Sequence, residues 1–101
     1  MKTYTIRYTM EAEDDMGDIY RYIAHELLEP ETAENYRNEI IEACRKLHIY
    51  GGSLAISQRE YVQKRWGPAA RTITYKKMVI VFNVINDTIL IRRVIPGSLI
   101  I

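Results

Sequence analysis

The chain has 101 residues, 48% hydrophobic and 27% charged, with 14 Lys/Arg against 13 Asp/Glu. That length argues for one domain, able to bury roughly 65% of its unfolded surface, and the composition excludes a disordered chain. No apolar run approaches the roughly 20 residues a bilayer crossing needs, "MKTYTIRYTM" lacks the apolar stretch of a secretion signal, and Cys44 has no second cysteine for a disulfide, so a cytoplasmic protein is expected.

Charge is distributed unevenly. Residues 1–60 hold seven Lys/Arg and twelve Asp/Glu, a net of −5. Residues 61–101 hold seven Lys/Arg and only Asp87, a net of +6, which together give the overall +1. Such asymmetry points to a surface that meets a polyanion, or to an acidic part that neutralises a basic part within one fold.

In chain order, "KTYTIRY" alternates, with Thr3, Thr5 and Arg7 on one side and Tyr4, Ile6 and Tyr8 on the other, which predicts a half-buried strand. Thr9 is placed as an N-cap, and Glu11, Glu13, Asp14 and Asp15 complement the dipole of the helix that follows. Ala12, Met16, Ile19, Ile23 and Leu27 make its buried stripe. Pro30 opens a second helix, whose stripe is Ala33, Tyr36, Ile40, Cys44 and Leu47. Glu42 and Lys46 form an i,i+4 pair there, and Gly51 and Gly52 stop the helix. The short link predicts an antiparallel helical hairpin. "SLAISQRE" reads as loop.

From Tyr61 the period becomes two. "YVQKRW", "RTITY", "MVIVFNVI" and "TILIRRVI" read as four strands of a meander. "GPAA", Lys76-Lys77 and Asn86-Asp87 are the turns, and Pro96 ends the last strand. "MVIVFNVI" is apolar on both faces and should be central. The expected fold is α+β, in the order β-α-α-β-β-β(-β). The helical hairpin packs on one face of a small, mostly antiparallel sheet, the first strand joins beside a central strand, and the other face is left concave and basic. One domain spans residues 1–101.

That order, with those residues, resembles the RelE/ParE superfamily of bacterial toxins from type II toxin–antitoxin (plasmid stabilisation) modules. "YTMEAEDDMGDIYRYI" is similar to the family's opening helix, through Ala12, Asp15, Ile19, Tyr22 and Ile23. "PETAENYRNEIIEACRKL" is similar to its second helix, and Arg71-x-Ile73-x-Tyr75 with "ILIRRVI" to its sheet. The opening helix sits closer to the ParE branch. The resemblance implies a growth-inhibiting toxin, neutralised by a cognate antitoxin. Its target would be DNA gyrase in the ParE branch, or messenger RNA on the ribosome in the RelE branch, where members are ribonucleases. A degenerate, non-toxic binding partner is a third reading. The resemblance implies no cofactor, and a homodimer or a toxin–antitoxin hetero-oligomer are both open.

Cleaving RNA without a metal needs a base, an acid and cations for the phosphorane. Arg71 stands at the family's sheet arginine, where its fork suits a phosphate, and Tyr75 is the candidate proton donor. Both are therefore candidate catalytic residues, and the resemblance implies that the sheet's cations face the nucleic-acid target on its open basic face. Lys64, Arg65, Arg71, Arg92 and Arg93 are the candidate nucleic-acid or target-binding residues. Lys64 and Arg65, read on a strand, fall on opposite faces, as do Arg92 and Arg93. Pro96 stands where nuclease members commonly carry a histidine, and no titratable side chain follows Arg93. His25 and His48 lie on the helices as exposed or capping residues, with no metal-ligand spacing. Cys44 is a small core residue, Trp66 a partly buried anchor, and the apolar tail "SLII" should be covered by the domain or by a partner.

Overall fold

The computed structural model describes residues 2–100. Strand β1 (Thr5–Tyr8) leads into helix α1 (Met10–Arg21). The Thr9 hydroxyl caps α1 by accepting from the Ala12 N–H at 3.1 Å, and it donates to the Arg92 carbonyl at 2.9 Å. The end of this helix widens into a π turn over Tyr22–Glu26, where the Leu27 N–H donates to the Tyr22 carbonyl. The widening moves the stripe by one residue. Ile23 and Ala24 are buried, and Leu27, expected inside, is 48% exposed.

Helix α2 (Pro30–Arg45) starts with proline in its first turn and continues almost directly into the single turn of α3 (Leu47–Tyr50). Ala33, Ile40, Cys44 and Leu47 are fully buried, as the spacing predicts. The expected Glu42–Lys46 pair does not form. Glu42 is instead gripped by both ends of the Arg45 guanidinium, at 2.6 and 2.9 Å, because that planar fork matches a carboxylate better than an ammonium does. Gly51 and Gly52 continue as a 3-10 turn with Ser53. They serve close packing: a Cβ on Gly51 would strike Ile89, and one on Gly52 would strike Tyr4.

The stretch predicted as the first meander strand is a helix, α4 (Glu60–Trp66). The helical spacing of its pairs decides this. Val62 and Trp66 turn inward together, while Lys64 reaches Glu60 at 2.8 Å and Arg65 stacks 3.6 Å from the Tyr61 ring centre. Gly67, at φ +100, ends the helix with its N–H on the Gln63 carbonyl.

Three strands follow, so the sheet has four among the described residues, β1 with β2 (Arg71–Tyr75), β3 (Met78–Ile85) and β4 (Thr88–Pro96), in the order β1-β4-β3-β2. The β2–β3 and β3–β4 pairs are antiparallel hairpins, and β1 runs parallel to β4. Lys76 (φ 53) and Asn86 (φ 54) open the two hairpin turns. One face of the sheet carries Ile80, Phe82, Ile89, Ile91 and Val94 against α1 and α2, forming the main core. The opposite face, expected to be open, is partly covered. Val79, Val81 and Ile95 pack with Val62, Tyr61 and Trp66 of α4, with Ala70, and with the tail residue Ile100. Cover on both faces explains why β3 is apolar on both sides apart from Asn83. Of the tail, Ile100 is buried and Leu99 is 52% exposed, while Ile101 lies outside the described residues.

Candidate functional site

The five candidate cations do not form one cluster. Arg71 pairs with Phe82, so it lies on the helical-hairpin side and not on the expected open face. Its Nη1 donates to the Gly51 carbonyl at 3.2 Å, and its Nε is buried with no partner. Tyr75 pairs with Met78 on the same side. Its hydroxyl donates to the Glu39 carboxylate, its ring meets Tyr36 edge-on at 5.8 Å, and Lys76 Nζ sits 5.5 Å from its centre. Loss of solvent and the bond to Glu39 both raise the Tyr75 pKa, so the phenol holds its proton. The Tyr75 hydrogen bond is also the main reason the Glu39 carboxyl is held below its usual range. Tyr75 thus clamps the β2–β3 turn to α2.

Lys64 and Arg65 belong to the other side, on α4, and the sheet separates them from Arg71. Being helical, they are not divided between two faces of a strand. Arg92 and Arg93 do not alternate either. The register runs from Val81↔Arg93 to Phe82↔Ile91, which leaves Arg92 unmatched in a bulge. Arg92 donates to the Asn83 side chain at 3.0 Å, and Asn83 donates to the Trp66 carbonyl at 3.1 Å, tying the end of α4 to the sheet. Arg93 makes a two-pronged ion pair with Asp15 of α1, at 2.7 and 3.0 Å. Asp15 also accepts from the Val94 N–H at 2.9 Å, just past the point where β1 stops covering β4. Arg93 is therefore neutralised.

Among the described residues, no carboxylate lies within 4.0 Å of Arg7, Lys46, Arg59, Arg65, Arg71, Lys77 or Arg92, and of these only Lys46 and Arg71 are on the helical-hairpin side. The register puts Arg7 beside Leu90 on the α4 side, and Arg59 immediately precedes α4. Sequence reasoning did not single out these two. The alternation of β1 was the signal for Arg7, and Arg59 fell in "SLAISQRE", read as loop. The acids without such a partner, Glu11, Glu13, Asp14, Glu26, Glu29 and Glu31, all sit on the helical hairpin. The charge asymmetry of the sequence is thus an asymmetry of surfaces. His48 caps the Arg45 carbonyl at 2.7 Å, and no cluster of metal-ligating groups occurs among the described residues. No helix there is long and apolar enough to cross a membrane.

A second feature is a mainly apolar cleft of about 510 Å³ between the end of α1 and the end of β4. Ile19, Ile23, Tyr36, Val94, Pro96 and Leu99 line it. Tyr22, 57% exposed, stands at its edge, and the Asp15–Arg93 pair closes one side.

No curated protein sequence matches the chain closely. Its fold is similar to a solved structure described as the chromosomal ParDE TA system from P. aeruginosa, with a TM-score of 0.78 and 24% sequence identity over 93% of this chain and 96% of that one. The sequence pattern of the family described as "ParE toxin of type II toxin-antitoxin system, parDE" matches residues 6–100, and the chain belongs to that family.

Proposed function

We propose that this toxin stops growth in the cytoplasm by binding DNA gyrase on its DNA, through the α4 side of the sheet. The observation that carries the reading is the separation of charge: most cations without carboxylate partners (Arg7, Arg59, Arg65, Lys77 and Arg92, against Lys46 and Arg71) lie away from the helical hairpin, and the acids without cationic partners lie on it. Membership of the ParE family supports it. Arg65, Arg92 and Arg7 are the side chains available to the target, with Lys64 held at the rim by Glu60. Arg93 positions the strand end through Asp15, and Arg71 and Tyr75 hold the sheet to the helices. The purified chain, added to gyrase and a relaxed plasmid, is expected to block supercoiling and to accumulate linear DNA. Unimpaired supercoiling, together with new RNA ends inside translated frames after induction, would overturn the proposal in favour of ribosome-dependent RNA cleavage.

A type II toxin has an antitoxin partner. The cleft beside Tyr22 is the antitoxin's seat in this reading, because an amphipathic segment laid there would cover Ile19, Tyr22 and Leu99 together. Tyr22→Arg is expected to keep toxicity and lose neutralisation. Neutralisation of this variant at wild-type antitoxin doses would move the seat elsewhere.

A further inference from the structure

A separate basic depression of about 470 Å³ lies where the β2–β3 turn meets the tail. Arg59, Lys76 and Lys77 surround it, with the hydroxyl-bearing Thr74 and Ser98 beside them. The Gly97 N–H donates to the Lys77 carbonyl at 2.8 Å, so turn and tail are stapled together and the backbone that carries Lys77 is fixed. Lys76 is drawn off, lying 3.5 Å from Glu39 and over the rings of Tyr36 and Tyr75. Arg59 and Lys77 have no carboxylate within 4.0 Å among the described residues, and both are exposed.

We infer that Arg59 and Lys77 grip the phosphodiester backbone of duplex DNA, an inference that rests on the proposed gyrase–DNA target and names the part of the target this corner touches. Two like charges that line one depression repel each other, and an anion between them relieves that repulsion. The hydroxyls of Thr74 and Ser98 suit phosphate oxygens. Among the described residues no aromatic side chain lines the depression, so none there stacks on an unpaired base. That favours a duplex, whose bases are already stacked, over a single strand, and it makes the contact independent of sequence.

The test measures fluorescence anisotropy of a labelled random-sequence 20-base-pair duplex with the full chain, across a salt series. Removing two phosphate contacts lowers the slope of log affinity against log salt by about 1.8. Arg59→Ala/Lys77→Ala is expected to show that loss, with about a tenfold weaker affinity at the lowest salt and an unchanged melting temperature. Arg59→Lys/Lys77→Arg should restore the slope, and Lys46→Ala, on α2's side, should leave it alone. No measurable duplex binding by the wild-type chain, a wild-type slope in the double alanine variant, or tighter binding to single-stranded RNA than to the duplex would each overturn the inference. Gyrase inhibition with an unchanged slope sinks only this contact. A changed slope without gyrase inhibition sinks only the proposed target.

Discussion

The two faces of the sheet are built on different terms. On the hairpin side, α1 and α2 lay long stripes over Ile80, Phe82, Ile89 and Ile91, and the cations that enter are held: Arg71 by a carbonyl and Arg93 by Asp15. On the α4 side, seven residues of helix and a few of tail cover only Val79, Val81 and Ile95, and the cations around them have few counter-charges. The same strand, β3, serves both. Stability is thus concentrated on one face, and charge suited to a partner on the other. The small α4 core holds the cations in place while burying little of its own.

The largest test of this contrast uses neighbours on β3 that point opposite ways. Phe82→Ala should cost about 3–5 kcal/mol, from lost burial plus the cavity left in the main core. Against a total near 5–15 kcal/mol for a domain, that brings the chain close to unfolding at 37 °C. Val81→Ala should cost about 2 kcal/mol. Urea titrations of both variants decide it, and equal losses would mean that the α4 side is no weaker than the other.

Next in size is the link between the two regions. Asp15 reaches from α1 past the end of β1 to Arg93 and to the Val94 N–H. Asp15→Asn removes the counter-charge from a half-buried guanidinium and should cost about 2–3 kcal/mol. Arg93→Met should recover part of this in the double variant, since the stranded charge is then gone. If the two single losses simply add in chemical denaturation, the pair does not couple the faces.

How much of this was legible follows the same division. The hairpin side was readable because Ala12, Met16, Ile19 and Ile23, and Ala33 through Leu47, repeat over many turns, so the period is unambiguous. The α4 side rests on short segments. "YVQKRW" fits two apolar positions to either period, and only Val62 with Trp66 at four-residue spacing, plus Gly67 at positive φ, resolves it as helix. That error carried over to Lys64 and Arg65. The bulge at Arg92 has no local signal, because it depends on the register of β4 against β3. Arg71 was correctly placed on a strand, but the covered face was mistaken for the open one. Which face α4 would take was not written in β2.

A pH dependence should mark the hairpin side alone. Burial pushes the Cys44 thiol from 9.0 up to about 11, and burial also raises the adjacent Tyr8 phenol above its ordinary 10.0. Both groups keep their protons longer in the folded state, so the unfolded state loses protons first as pH rises. Stability should be level below pH 9 and fall through pH 11, by about 2–3 kcal/mol for the thiol. Cys44→Ala should delay the onset by about one pH unit, leaving the fall to Tyr8 with Tyr36, Tyr75 and Lys76, whose pKa values are also raised in the folded state. Urea midpoints measured from pH 8 to 11 would show this, and an unshifted onset in the variant would assign the alkaline loss to another group.

The smallest expected effect is a gain, and it probes why the hairpin tip is built as it is. Leu28 sits in the left-handed region at φ 56 and is 80% exposed. That conformation lets the Glu29 N–H donate back to the Ile23 carbonyl at 3.1 Å and close the widened end of the first helix. Glycine adopts it without the penalty of a Cβ, and an exposed leucine contributes almost no burial in return. Leu28→Gly should therefore stabilise the free toxin by about 1 kcal/mol, raising its melting temperature by about 4–8 °C. The tip carries Tyr22 and Leu27 as well, close to the cleft given to the antitoxin. The same variant should then bind antitoxin more weakly while melting higher, and a gain in stability with undiminished antitoxin affinity would separate the tip from that interface.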